Sequence, residues 1–244
     1  MKPYDLTEVE KVSQLKDLTA HGSPAKASSK IASWPLERIA SLARRVLQTL
    51  IFLAHRIVAR PFRIKGLEHL NRLKLPALFI SNHASHVDTV SIIRALPSKM
   101  RQKLVVAAAQ DYFFRYPLVG AVTSLLMNTF PFSREGGVRT SLKYCGYLAN
   151  QGWSVLIYPE GTRSSTGELL PFKRGIGWLA TQMQVPVVPI SVFGGRDVLP
   201  KGRAMPKPAP VTVCFGQPLR FNEKDDPTET SQRLQQIIGR LMTT

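Results

Sequence analysis

A histidine and an aspartate five residues apart, His83 and Asp88, lie in the stretch Ser81-Asn82-His83-Ala84-Ser85-His86-Val87-Asp88, directly after the apolar run Leu75 to Ile80. Strand ends in α/β sheets are where sites are assembled. A carboxylate placed there can hold an imidazole, and the imidazole can then take a proton from a hydroxyl or a water. The same pair could equally be polar caps flanking a helix start. Farther along, another apolar run is followed by Tyr158-Pro159-Glu160-Gly161-Thr162-Arg163-Ser164-Ser165. Gly161 lets the backbone turn closely, and Thr162, Arg163 and Ser164 can donate to anionic oxygens. Glu160 beside Arg163 suits a polar headgroup or mutual pairing; a plain strand-to-loop turn would need the same residues. Phe172-Lys173-Arg174-Gly175 adds two cations before a predicted helix, whose N-terminus favours an anion. Arg134, in Phe130-Pro131-Phe132-Ser133-Arg134, stands at a predicted strand end, where its fork would suit a phosphate.

Other chemistries are poorly supported. His83, His86 and Asp88 could be read as metal ligands, but the HxHxDH spacing is absent, and of the remaining histidines the relevant ones, His21 and His55, fall in the N-terminal part. No metal site is expected. Gly152-Trp153-Ser154-Val155-Leu156 fails the GxSxG nucleophile pattern at its last position and lies in a predicted strand. Neither GxGxxG nor GxxxxGK[ST] occurs, which argues against dinucleotide and P-loop nucleotide binding. Cys145 and Cys214 have no metal-ligand spacing and read as reduced, buried residues.

The elements that must position these residues alternate. Strands are predicted at 62–66, 76–81, 104–109, 128–133, 153–158, 186–193 and 211–215, and helices at 87–96, 112–126, 136–150, 175–184 and 230–242. That order predicts an α/β fold: a mixed, largely parallel sheet flanked by helices. Residues 36–60 have a helical period, with Leu36, Ile39, Ala43, Leu47, Leu50, Ile51, Ala54 and Val58 on one side and Arg38, Arg45, Thr49, Arg56 and Arg60 on a narrower polar stripe; Pro61 is expected to end it. The helix could lie in a membrane interface with its arginines at the phosphates, or cover one face of the sheet. Its uninterrupted apolar stretch is far short of the ~20 residues that span a bilayer. Three regions follow: a polar N-terminal segment (1–30) without the pattern of a secretory signal, an amphipathic helical element (31–61), and the α/β domain (62–244).

The formal net charge of +17, spread along the chain, suits an anionic surface: a membrane, an acidic carrier protein, nucleic acid or a phosphorylated substrate. No lysine block or repeated basic-aromatic motif marks a nucleic-acid binder, and no nucleic-acid partner is expected. The charge tips the helix at 36–60 toward the membrane.

Taken in order, these blocks resemble the glycerolipid acyltransferase family typified by bacterial 1-acylglycerol-3-phosphate acyltransferase. The first block is carried by Asn82, His83, Ser85 and Asp88. The second is carried by Arg134, departing from the family in having Ser133 before it. The third, an aromatic residue followed by PEGTRS, is carried by Tyr158 to Ser164, and the fourth by Val185-Pro186-Val187-Val188-Pro189-Ile190. The resemblance covers roughly residues 62–216. It implies a membrane-associated O-acyltransferase that moves a fatty acyl group from acyl-CoA or acyl carrier protein to the free hydroxyl of lysophosphatidate, giving phosphatidate. It makes His83 the general base oriented by Asp88, and Arg134, Glu160, Gly161, Thr162 and Arg163 the acceptor-binding residues. It implies no cofactor beyond the thioester co-substrate, anionic membrane lipids as partners, and a place on the cytoplasmic face of the membrane. The alternatives are acylation of another lyso-lipid, or a non-catalytic basic membrane-binding protein of the same fold.

Overall fold

Leu78–Ser81 and Ser154–Ile157 carry no alternation of apolar and polar residues because both faces of each strand are covered, the pattern of parallel strands layered between helices. A computed structural model of the chain describes residues 34–243; the expected segment 1–30 lies outside them. Seven strands form one sheet: β1 (Ala59–Lys65), β2 (Leu78–Ser81), β3 (Leu104–Ala109), β4 (Thr129–Phe132), β5 (Ser154–Ile157), β6 (Val187–Phe193) and β7 (Ala209–Phe215). Their order is β1-β7-β6-β2-β5-β3-β4. Neighbours are parallel except β6 and β7, so the sheet is mixed and mostly parallel, as expected. The helices are α1 (Arg38–Val58), α2 (His86–Ala95), α3 (Ser98–Arg101), α4 (Gln110–Phe113), α5 (Pro117–Met127), α6 (Val138–Asn150), α7 (Gly175–Gln182), α8 (Gly195–Val198) and α9 (Pro227–Leu241).

Register explains why one rim of the sheet can carry a site. Ile80 is level with Ile157 on one side and with Pro189 on the other. The loops after β2 and β5 therefore leave the sheet side by side, the usual position of a ligand site in an α/β sheet. Phe79, Ile92, Leu156, Val188, Ile190, Val213 and Phe215 fill the core beneath them.

Two sequence expectations are corrected. The single helix at 112–126 is two, α4 and α5, separated at Phe114–Tyr116. Pro117 is the first residue of α5, and a proline disfavours helical geometry in the residue before it. The N-terminal helix ends at Val58 rather than at Pro61, which lies within β1. A proline has no N–H for a ladder, and here it occupies an edge strand where the register shifts between Ala59 and Phe62.

The apolar side of α1 is offset from the expected one, and the helix buries its polar side. Its buried residues are Ala40, Arg44, Gln48 and His55. Ile39, Leu42, Val46, Leu50, Leu53 and Ile57 form a row on the outside, each more than half exposed. At 100° per residue this row is rotated about a quarter turn from the expected apolar side. The polar residues face inward because they have specific partners. Arg44 donates to the carbonyls of Leu125 (2.9 Å), Ser124 (3.3 Å) and Pro35 (2.6 Å), and Gln48 to that of Leu126 (3.0 Å). Ser124, Leu125 and Leu126 are in the last turn of α5, where carbonyls lack intrahelical donors and a cation is favoured.

His55 ties α1 to α2. Arg94 donates to Nδ1 at 2.7 Å, so Nε2 carries the hydrogen and donates to Ser91 Oγ at 2.8 Å. The ring meets Phe62 edge-on, and Arg94 lies over the same phenyl ring. Burial, and then the charge of Arg94, hold the imidazole down to about 4. A histidine whose folded value is depressed leaves stability intact above its unfolded value, ~6.5, and removes it as pH falls toward 4. His55→Gln, which can still accept from Arg94 and donate to Ser91, should flatten that loss by up to about 3 kcal/mol at pH 4. Urea denaturation at pH 7 and pH 4 checks this. Some acid slope should persist from His86, which is also held down to about 4.

Candidate active site

Ser85 starts α2 by closing a capping box. Its Oγ accepts from Val87 N (3.2 Å), and Asp88 Oδ2 accepts from Ser85 N (2.7 Å). The cap reading of this segment therefore holds, but the cap is buried and its carboxylate does more. Asp88 Oδ2 also accepts from Ala84 N (2.7 Å) and from His83 Nδ1 (3.1 Å). A carboxylate with two backbone donors is an acceptor, so the hydrogen on the ring is at Nδ1. His83 Nε2, which is not a buried atom, has no hydrogen bond among the described residues and is the free basic nitrogen. Tyr158 stacks on the imidazole with ring centroids 3.9 Å apart and is itself held by Thr89 Oγ1 at 2.8 Å. Burial and the charge of Asp88 push the Tyr158 phenol well above its ordinary range, so it stays a neutral plate. Such a pair can remove a proton from a hydroxyl brought to Nε2.

The loop after β5 is fastened to the same turn. Glu160 Oε1 accepts from His83 N at 2.6 Å and Oε2 from Leu170 N at 3.0 Å. Ser164 N donates to His83 O at 2.8 Å. His83 is thus held by its backbone at both its N–H and its C=O. Glu160 is only 3% exposed, and burial pushes its carboxyl up to about 7 against the pull of the two N–H donors. It faces the protein rather than solvent. Gly161 turns the chain at φ +72°. Thr162 is exposed and Arg163 lies over the Tyr112 ring at 5.7 Å.

Arg134 reaches the loop from the end of β4. Its Nη1 donates to Gly161 O at 2.9 Å, and Nε and Nη2 grip the Asp111 carboxylate. The Arg134 hydrogen bonds hold that carboxyl below its usual range. Lys201 donates to Arg163 O at 3.2 Å and to Thr162 Oγ1 at 3.4 Å. Arg196 donates to Ser165 O at 2.8 Å, and the Lys173 chain runs beside Gly161. Four cations, Arg134, Lys173, Arg196 and Lys201, therefore gather on one loop that carries Arg163 itself. Sequence reasoning missed Asp111, Lys201 and Arg196 as parts of this cluster, since only the folded sheet brings them there. His86, considered as a ligand with His83 and Asp88, turns its ring to Tyr112 and Phe113.

Among the described residues, no side chain beside His83 is arranged as a nucleophile. The Ser85 hydroxyl is fully buried and donates to Leu199 O at 2.8 Å. Cys145 and Cys214 are buried, and burial raises both thiols.

Gly195 completes the setting of Asp88. A Cβ there would stand 2.0 Å from Asp88 Oδ1, the carboxylate oxygen that is buried with no hydrogen-bond partner. The requirement for glycine is one of space, because the φ of Gly195 is not in the left-handed region. Its only sequence signal is the Gly194-Gly195 doublet at the end of β6.

Fold and site define a protein with a histidine–aspartate pair on the carboxyl rim of a mostly parallel sheet. Over residues 61–193 the chain matches the family model described as Acyltransferase, and it belongs to that family. The 1-acyl-sn-glycerol-3-phosphate acyltransferase of Cocos nucifera is 32% identical over 173 residues, covering 70% of this chain and 53% of that protein. The protein of the same name from Limnanthes douglasii is 31% identical over 194 residues, covering 78% of this chain and 65% of that one. The chain thus spans between 53% and 65% of these plant relatives' lengths. The crystal structure of the 1-acyl-sn-glycerophosphate (LPA) acyltransferase PlsC from Thermotoga maritima shares the fold, with a TM-score of 0.58 at 20% identity, covering 97% of this chain and 90% of that one.

Gly195→Ala should force Asp88 off its donors and lower turnover about 10²-fold, the scale of a misplacement near 1 Å, with a stability loss of about 1–3 kcal/mol. Gly146→Ala, on α6 with nothing within 4 Å of the added carbon, should keep full activity and stabilise by about 0.5–1 kcal/mol. Thermal unfolding beside an activity assay separates the two.

Proposed function

We propose that this protein transfers a fatty acyl group from an acyl thioester, acyl-CoA or acyl carrier protein, to the free hydroxyl of lysophosphatidate, giving phosphatidate. The observation that carries the reading is the His83–Asp88 pair. Its tautomer is fixed by a buried carboxylate, its Nε2 is left basic, and it is joined through the backbone to a loop ringed by cations. The curated relatives from Cocos nucifera and Limnanthes douglasii are named for that acceptor.

In this mechanism His83 Nε2 takes the acceptor's hydroxyl proton as that oxygen attacks the thioester carbonyl. The imidazolium that forms is stabilised by Asp88, which keeps its own negative charge. Collapse of the tetrahedral intermediate breaks the C–S bond, and the leaving thiolate takes the proton from Nε2. The buried Ser85 hydroxyl supports direct transfer without an acyl-enzyme. Arg134, Gly161, Thr162 and Arg163 bind the acceptor's phosphate and glycerol. Glu160 acts with them by holding the loop, since both its oxygens are engaged by the backbone. The acceptor phosphate competes with Asp111 for the fork of Arg134.

The protein works from the surface of a membrane, at its cytoplasmic face. No helix of the described residues is long and apolar enough to cross one. The outer row of α1 and the exposed Leu118, Val119 and Val122 of the adjoining α5 support docking by shallow insertion, with the basic surface drawn to anionic lipid.

Thioester-dependent acylation of lysophosphatidate in vesicles tests the reading. His83→Ala should lose at least ~10²-fold in kcat/KM, and Asp88→Asn should also fall steeply, because an amide leaves the imidazole wrongly oriented. Equal turnover by wild type and His83→Ala would remove the mechanism. Turnover only with another lyso-lipid would replace the acceptor.

A further inference from the structure

Between α1 and the short turn of α3 lies a cavity of about 210 Å³ lined by Arg45, Gln48, Thr49, Phe52, Ser98, Arg101 and Gln102. We infer that it is a site for the phosphate of an anionic phospholipid, distinct from the acceptor site at His83. The inference rests on the docking of α1 to a membrane.

The lining holds two guanidinium groups, two hydroxyls and two amides, and no acid. Neither arginine forms an ion pair with a carboxylate among the described residues. Arg101 is placed by its contacts: its guanidinium lies 5.0 Å above the Phe52 ring, and Nη1 reaches Ile93 O at 3.4 Å. Burial lowers the pKa of this guanidinium. A desolvated cation without a counter-charge is costly, and an anion that reaches it is correspondingly well held. Arg45 is set by a relay in which its Nη2 donates to Gln102 Oε1 at 2.7 Å and Gln102 Nε2 donates to Ser98 Oγ at 2.9 Å. Gln48 is used on Leu126 O and the Thr49 hydroxyl on Arg45 O at 3.0 Å, so the donors remaining for a ligand are the other N–H groups of the two arginines and the Ser98 hydroxyl. Planar forks beside the Ser98 hydroxyl suit a tetrahedral phosphate better than a lone carboxylate.

Position decides the source of that phosphate. Arg45 and Thr49 lie on the exposed stripe they share with Arg38 and Arg56, and the apolar row Ile39 to Ile57 lies about 80° round the same helix. When that row enters the acyl region, the stripe and the cavity stand at the level of the headgroups. A lipid phosphate is thereby delivered to the cavity by the insertion itself.

The test is vesicle co-sedimentation of the full chain on phosphatidylcholine alone and with 20 mol% phosphatidate, roughly a physiological anionic content. Arg45→Lys with Arg101→Lys keeps the charge and removes both forks. The inference expects this variant to lose about tenfold in affinity for phosphatidate vesicles while keeping wild-type affinity for the neutral ones. Arg220→Gln with Lys224→Gln, away from the cavity, removes two charges and should change the phosphatidate preference less. Equal binding by wild type and the lysine variant, or an equal loss in the Arg220/Lys224 control, overturns the site as mere surface charge and leaves docking standing. Wild-type binding to neither vesicle overturns docking and the site together. Binding of inorganic phosphate in solution that the lysine variant loses, while both proteins bind phosphatidate vesicles equally, would assign the cavity to free phosphate and overturn the lipid assignment.

Discussion

One oxygen atom organises this molecule's chemistry. Asp88 Oδ2 collects Ala84 N, Ser85 N and His83 Nδ1 within 3.1 Å, so a single charge caps α2, closes the turn after β2 and fixes an imidazole tautomer. The other oxygen rests against Gly195 without a hydrogen-bond partner. Structure and site geometry are therefore not separable here: the same contacts that start a helix fix the imidazole of His83.

The loop after β5 depends on that turn in the same way. Glu160 and Ser164 clamp the backbone of His83 from either side, and the cations that gather on Gly161 to Ser165 are positioned only because this loop is held. The level register of Ile80 with Ile157 makes the clamp geometrically available. Two motifs far apart in the chain become one rigid rim by backbone hydrogen bonding, which tolerates change in the exposed side chains between.

Most of the sheet was legible because its strands are short, apolar and bounded by Gly, Pro or charged residues. The His83–Asp88 pairing was legible too, since both partners sit in one turn. What could not be read are features that depend on distant partners. Asp111 meets Arg134 and Lys201 meets Thr162 only after the sheet aligns their strands, and no local pattern links them. Gly195 is needed for the room Asp88 takes, which periodicity does not record. In α1, averaging over all apolar residues pointed about a quarter turn off the exposed row, because Arg44, Gln48 and His55 took inward places by satisfying the end of α5 and Ser91.

That inward set has a further meaning. A loose amphipathic helix in water can turn its apolar row toward the protein and hide it. Here Arg44, Gln48 and His55 act as bolts: rotating α1 would strand a buried guanidinium and leave the carbonyls at the end of α5 without their donors. The row from Ile39 to Ile57 is thus locked outward whatever the surroundings. On the docking proposed above, a bilayer is part of the solvent to which the fold is matched, and water alone is the poorer half of it.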